Sequence, residues 1–578
     1  MQFIPNLGAI ALIASQLWFS RATAVPSWTS NSSCRCLPGD SCWPASPEWE
    51  ALNRTVGGRL IATVPLGKPC HDPAFDSVKC QNLQSQWLNP QLHMQSSSSV
   101  MAPPFANQSC DPWQPQARPC SLGNYVSYTV NVTQAQDIIE AINFAQKKNI
   151  RFVIRNTGHD YLGKSTGAGA LSVWTHYLKD IDFLDWSDKY YKGKAITLGA
   201  GVQGYEILAA SSVEGLVTVG GECATVGVAG GYTQGGGHSA LSSSFGLAAD
   251  NVLSWEVVTA AGRLVTASRF ENTDLYWALS GGGGGTYGVV VSVTVKAHPD
   301  AKVGGATLTI LSSSTTVDTF YDAIDKFHTL LPAMVDAGCM VVYYFTADFM
   351  AISPMTCHGK DATQAQEILA PFITVLEDLK IPVTPTYTTS PTYQEHFNTY
   401  FGPLPYGNIN VGIAQYGARM ISRNNVGNNM PALSTAYRNI TQAGVTFIGV
   451  GLNVSSSANT SNISNSVLPA WRNTLVHSTL TLPWSFTAPW ADMVALADQM
   501  TYSVIPQLEA ATPNSGAYGN EGNPRQPNWK EAFFGVNYGN LLAIKNKYDP
   551  KDLFYAVTAV GSDVWNVDGN GRMCRARK

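Results

Sequence analysis

Glycine is the residue that most limits what this chain can become. Its 51 glycines are gathered into dense runs at 156–169, 219–237 and 281–288. Each run adjoins a segment that reads as a strand. One such run is ordinarily a tight turn, because glycine tolerates backbone angles and close approaches that a Cβ forbids. Three within one stretch imply backbone wrapped around a large anionic ligand, with N–H groups aimed at its phosphate oxygens.

The order of elements around these runs supports that reading. Residues 125–130 alternate like a strand. Thr133 and Gln136 have capping-box spacing, and Ile138, Ile142 and Ala145 follow at helical spacing up to Asn149. A short strand at 151–155 leads into the turn 156–160. Further strands are expected at 195–199, 252–259 and 289–295, with a hairpin at Ala261-Gly262-Arg263. From about 301 the texture changes. Helices at 316–331 and 362–379 mix with strands at 341–346 and 445–450, which reads as a second α+β domain. The last segment, from 516, holds a helix ending near Tyr548-Asp549-Pro550. The expected division is 1–24, a secretory leader; 25–120, an irregular Cys-rich cap; 121–300 and 301–515, two domains; and 516–578, a closing segment.

The 1–24 leader rests on the apolar run 7–14 followed by Ala22-Thr23-Ala24. Sequons at Asn31, Asn53, Asn107, Asn131, Asn439, Asn453, Asn459 and Asn462 agree with export. So do the eleven cysteines, read as disulfides in an oxidising compartment. Cys34, Cys36 and Cys42 open a zinc-like cluster that no Cys/His set completes, so no metal site is expected. An odd count leaves one cysteine over, and Cys223, alone in a glycine-rich stretch, is the candidate. A net charge of −4 without a basic stripe argues against nucleic acid. No later run is long and apolar enough to span a membrane.

Three familiar patterns match in the wrong context. Residues 158–165 fit the P-loop formula, but residues 166–171 start a helix poorly. Residues 283–288 fit the dinucleotide formula, but a β-branched strand comes next where a helix belongs. Residues 163–167 read as the hydrolase G-x-S-x-G without a strand-to-helix elbow.

The stretch from about 125 to 295 resembles the PCMH-type FAD-binding domain of the vanillyl-alcohol-oxidase superfamily, and within it the berberine-bridge-enzyme-like group. The resemblance is carried by Arg155-Asn156-Thr157-Gly158-His159-Asp160-Tyr161, by 221–231 with its Cys-x-Thr-Val-Gly pattern, and by 528–538 through 547–550 at the end. Cys42-Trp43-Pro44 is similar to the fungal isoamyl alcohol oxidase-like branch. The resemblance implies FAD bonded to His159 through the flavin 8α carbon and to Cys223 through C6, the two side chains reaching opposite edges of one ring. It leaves ten cysteines for five disulfides. It implies cofactor contacts at Arg155, Asn156, Thr157, Gly158, Asp160, Gly221, Thr225, Val226, Gly227, Gly230, Gly231, Gly285, Gly288, Val289 and Asn537. Val226, small and facing the reactive side, resembles the oxidases.

The expected architecture is α+β: a two-part FAD domain clasping a substrate domain with an antiparallel sheet. The expected activity is a secreted oxidase that takes hydride from a small alcohol and passes the electrons to O2, giving H2O2. A tailoring oxidoreductase of fungal secondary metabolism, a carbohydrate oxidase and a non-catalytic flavin-fold glycoprotein are the alternatives. Glu521 is the first candidate base, on the expectation that burial beside the flavin raises its pKa. Tyr518 and Tyr538 are the others, and Tyr343 and Tyr344 are candidate pocket residues.

Overall fold

The computed structural model describes residues 34–455 and 464–576. The expected leader and the sequons at Asn31, Asn459 and Asn462 lie outside them.

The first sheet contains β1 (Leu60–Ala62), β2 (Tyr128–Asn131), β3 (Phe152–Arg155) and β4 (Leu171–Trp174), in the order β1-β2-β4-β3. β2, β4 and β3 run parallel, and β1 adds an antiparallel edge. Parallel neighbours need a crossover, supplied between β2 and β3 by the helix Ala135–Lys147. It buries Ile138, Ala141, Ile142 and Ala145 against Val130, Phe152 and Val173. The helix start differs from expectation. Gln134 is the cap position, and the Asp137 carboxylate, not Gln136, accepts from the Thr133 and Gln134 amides. A carboxylate there also suits the positive end of the helix dipole.

The second sheet is antiparallel, in the order β5 (Ile181–Ser187), β6 (Lys192–Gly199), β10 (Val289–Lys296), β8 (Val252–Val258), β9 (Leu264–Ser268). β7 (Leu216–Val217) and β11 (His298–Pro299) form a separate ribbon. The expected hairpin at Gly262 joins β8 to β9, with φ +67° at the glycine.

The third sheet has β12 (Val303–Leu311), β13 (Cys339–Phe345), β14 (Phe349–His358), β15 (Thr386–Ser390), β16 (Ala414–Ser422), β17 (Thr446–Gly451) and β18 (Thr474–Pro483). Their order is β15-β12-β14-β13-β17-β18-β16, with antiparallel neighbours throughout. The helices Val317–Asp336, Ala362–Asp378 and Met430–Gln442 cover one face, burying Phe327, Leu331, Phe372 and Tyr437. The architecture is α+β, as expected. The closing segment returns to the first half: Phe533, Phe534 and Leu541 share a core with Leu275, Tyr276 and Leu279.

Residues before Cys120 are less irregular than expected. They form the helices Ser46–Thr55 and Ser77–Gln86 and contribute β1. Disulfides join Cys34–Cys574, Cys36–Cys42, Cys70–Cys80, Cys110–Cys120 and Cys339–Cys357. The zinc-like start at Cys34 is therefore spent on disulfides. Cys223 is the free cysteine. No helix among the described residues is long and apolar enough to cross a membrane.

Candidate active site

A cavity lies across the carboxyl ends of β3 and β4, where backbone groups leave a parallel sheet unpaired. Ile154, Thr175, the turn 156–160 and residues of the loop 221–231 line it. His238, Tyr518, Asn520 and Glu521 line it as well. Glycine is needed where this lining is tight. Gly158 has φ +89°, and a Cβ there would lie 2.5 Å from the Arg155 guanidinium. A Cβ on Gly227 would lie 2.5 Å from Asn156 Oδ1. A Cβ on Gly231 would meet no protein atom within 4 Å, so that backbone borders open cavity.

His159 and Cys223 meet in this cavity. Cys223 Sγ lies 4.0 Å from His159 Nε2, and the Thr225 hydroxyl bridges them at 2.8 Å from Nε2 and 3.5 Å from Sγ. They therefore sit together at one edge of the cavity, not at two opposite edges. Burial, helped by the Arg155 charge, lowers the His159 pKa to about 4. Burial raises that of the Cys223 thiol. The imidazole is neutral, and its Nδ1 is the nitrogen not engaged by Thr225.

Most of the expected cofactor contacts reach the cavity: Asn156, Thr157, Gly158, Asp160, Gly221, Val226, Gly227, Gly230, Gly231, Gly285 and Gly288 line it. Four do not. Arg155 is buried beneath the turn and donates to the His93 carbonyl at 3.0 Å. Thr225 acts through His159. Val289 is in the hydrophobic core with Val258. Asn537 braces the 466–467 backbone through its side-chain amide. Asp160 shapes the turn by accepting from Leu162 N, Ser165 N and Ser165 Oγ. No helix follows 158–165; the next element is β4. This is the geometric failure of the P-loop match.

Two of the proposed bases line the cavity. Tyr518 Oη accepts from Gly237 N at 3.2 Å and Asn520 Nδ2 at 2.7 Å. Burial and the Glu521 charge raise its pKa, so it stays a neutral phenol. Glu521 accepts from His238 Nε2 at 2.8 Å, His477 Nε2 at 2.8 Å and Thr479 Oγ1 at 2.6 Å. Burial pushes its pKa up, but His238 and His477 outweigh this and hold it well below the usual carboxylate range. The expected upward shift is thus reversed. Tyr538 is not at the cavity; its hydroxyl faces Asp563 and the Gly561 amide. Tyr343 is a core residue whose hydroxyl meets His328 Nε2 at 2.8 Å, and Tyr344 packs on Phe349.

The sequence reading missed His238, His477, Thr479, Glu222 and Tyr416 as site residues. His477 and Thr479 are two apart on β18, so they share one sheet face, and Tyr416 on β16 joins that face from the neighbouring strand. His238 Nδ1 lies 3.4 Å from Glu222 Oε2. Burial lowers the His238 pKa, but Glu222 and Glu521 together raise it well above the usual value. The usable signals were a histidine closing a glycine run and one ionisable group in an apolar strand.

These residues fit FAD. A glycine-lined channel gives the backbone access a pyrophosphate needs, and the one unpaired cysteine stands beside a neutral histidine.

Comparison with known proteins agrees. Residues 126–268 match the family model described as FAD binding domain, and 517–561 match berberine and berberine like. The chain is 53% identical to the FAD-linked oxidoreductase ZEB1 of Gibberella zeae, over 94% of this chain and 96% of that protein. It is 50% identical to the FAD-linked oxidoreductase patO of Aspergillus clavatus, over 94% and 95%. The crystal structure of the VAO-type flavoprotein MtVAO615 from Myceliophthora thermophila superposes with a TM-score of 0.91 at 44% identity, covering 94% of this chain and 100% of that one. The chain therefore belongs to the FAD-linked oxidoreductases of the vanillyl-alcohol-oxidase type, with the berberine-bridge-enzyme-like closing segment.

Proposed function

We propose that this protein is a secreted oxidase holding FAD covalently through His159 and Cys223, and that its substrate is a small hydroxylated molecule. The observation that carries the reading is the 4.0 Å approach of Cys223 Sγ to His159 Nε2 at the edge of the glycine-lined cavity. Thr225 occupies Nε2 and so presents Nδ1 for attachment. Asn156 Nδ2 donates to the Ala200 carbonyl at 2.5 Å and fixes the turn that bears His159. FAD supplies a hydride acceptor that oxygen can regenerate with release of H2O2. The polypeptide supplies position and proton handling.

A tailoring role on a fungal natural product is the second reading. It is favoured by a relative named bifunctional decalin synthase calF of Penicillium decumbens, 40% identical over the full length of both chains. Secretion is supported by the five disulfides among the described residues.

Visible absorption before and after acid precipitation tests the attachment, with peptide mass spectrometry to locate it. Flavin is expected in the pellet, on peptides containing 159 and 223. A colourless pellet with flavin in the supernatant overturns the covalent reading. A screen of alcohols and sugars with a peroxide readout tests the oxidase.

A further inference from the structure

We propose that Glu222 is the catalytic base of this site, and that Glu521 is a positioning residue acting on it through His238. The proposal rests on the reading above that a hydroxylated substrate gives up hydride to FAD.

The two carboxylates of the cavity are supported very differently. Glu521 accepts three hydrogen bonds, at 2.8, 2.8 and 2.6 Å. Each favours the ionised form, so this group gives a proton no better home than water does. Glu222 lines the same cavity, yet its nearest polar partner is His238 Nδ1 at 3.4 Å, and its Oε1 is buried with no partner. Glu222 therefore keeps an oxygen free to receive a substrate proton, whereas the oxygens of Glu521 are already engaged by three donors. Glu222 also directly precedes Cys223, so it is tied to the cofactor edge of the cavity.

His238 faces carboxylate oxygens at both ring nitrogens. Lone pairs there would face oxygen lone pairs, so both nitrogens carry protons and the ring is a fixed cation. Glu521 holds it, anchored in turn by His477 and Thr479 on β18. The other groups facing Glu222 are Tyr232 and Cys223 on its own loop, Tyr393 on the helix Tyr393–Tyr400, His477 on β18, and Tyr518 on the closing segment.

In the step itself the substrate O–H bond breaks and its proton goes to the Glu222 carboxylate. The O–H electron pair becomes the second bond of the product carbonyl. Hydride leaves the adjacent carbon with its electron pair for FAD, so the substrate loses two electrons and FAD gains two. A divalent cation at His238, His477 and Glu521 is the competing account. The 2.6–2.8 Å contacts match charge-assisted hydrogen bonds, and Thr479, no metal ligand here, makes the shortest.

The experiment compares wild type with Glu222→Gln, Glu222→Asp and Glu521→Gln as flavin-loaded proteins. Covalent flavin is first quantified in each. Anaerobic flavin bleaching is then followed from pH 5 to 9 with the fastest of a panel of aliphatic, benzylic and sugar alcohols. The resting flavin spectrum is titrated over the same range. Glu222→Gln is expected to keep its flavin, bleach about 10²–10⁴-fold more slowly and lose the acid limb of the profile. Glu222→Asp should recover part of the rate and the limb, and Glu521→Gln should keep the limb at a reduced rate. An unchanged limb in Glu222→Gln, or its loss only in Glu521→Gln, overturns the proposal. So does a stoichiometric metal that survives chelation and is lost in His477→Ala. Loss of covalent flavin in wild type, or no bleaching by any alcohol, instead overturns the underlying reading and removes the proposal's premise.

Discussion

Tyr161 and Tyr416 stack face to face, with ring centroids 3.8 Å apart and planes 6° from parallel. One directly follows the turn that carries His159, the other lies on β16 of the third sheet, so the pair clamps two parts of the molecule beside the cavity. The Tyr416 phenol, ahead of burial, keeps the Tyr161 pKa well above its usual value. A double-mutant cycle with Tyr161→Leu and Tyr416→Leu is expected to give a coupling of about 0.5–1.5 kcal/mol in denaturant unfolding. Additive losses would show that the stack does not hold the two parts together.

Two glycines of the cavity wall should respond in opposite ways. Gly231→Ala adds a methyl into open cavity, so the cofactor-free protein should melt at the wild-type temperature while flavin content drops sharply. Gly227→Ala drives a methyl against Asn156 and should cost about 1–3 kcal/mol even without cofactor. Calorimetry of cofactor-free protein with flavin content of the holoprotein separates the two effects.

Much of this arrangement was legible from local pattern. The helix after β2 was visible because Ile138, Ile142 and Ala145 repeat along one face. Cys223 was visible because an odd thiol stands out. His159 followed from its motif. The acid–base cluster was hidden because its members are remote in sequence: Glu521 meets His238 across 283 residues and His477 across 44. Asn537 and Tyr538 misled for the converse reason. They sit inside a family motif, but the helix Tyr538–Tyr548 turns them toward 466–467 and Asp563, away from the cavity. Motif membership reports that a segment is shared, whereas only tertiary contact decides which way a side chain faces.

A second buried charge pair supports the closing segment. Lys545 and Asp549 are 1% and 0% exposed, with Nζ 2.5 Å from Oδ2. Lys545 also donates to the Thr286 and Phe554 carbonyls, and Asp549 accepts from the Leu553 and Phe554 amides. Removing one partner strands the other charge, so Lys545→Met should destabilise by about 3–5 kcal/mol. Denaturant unfolding measures it, and a loss below about 1 kcal/mol would contradict the assignment.

Acid should weaken the fold. Burial lowers the pKa of His93 and His328 to about 4 and that of His396 to about 3, from 6.5. Above 6.5 these rings are neutral in both states. As pH falls below 6.5 the unfolded chain binds protons that the folded one refuses, so stability drops until the folded values are reached. Asp111 acts oppositely, since burial raises its pKa to about 6 and it binds a proton in the folded state first. His159, His176, His298, His358 and His477 are lowered as well, and Asp325 and His238 are raised like Asp111, so eight groups against three leave a net decline, and melting temperature should fall from pH 6.5 to about 4. His328→Phe, which removes one of the eight lowered rings, should flatten the slope.

The Cys34–Cys574 disulfide, spanning a separation of 540 residues, makes nearly the whole described chain a covalent ring. A single protease cut anywhere inside that ring yields two pieces that still travel as one band under non-reducing electrophoresis. Nicked molecules would therefore pass unnoticed in such a gel and separate only on reduction. Backbone integrity in any preparation has to be judged with reductant present.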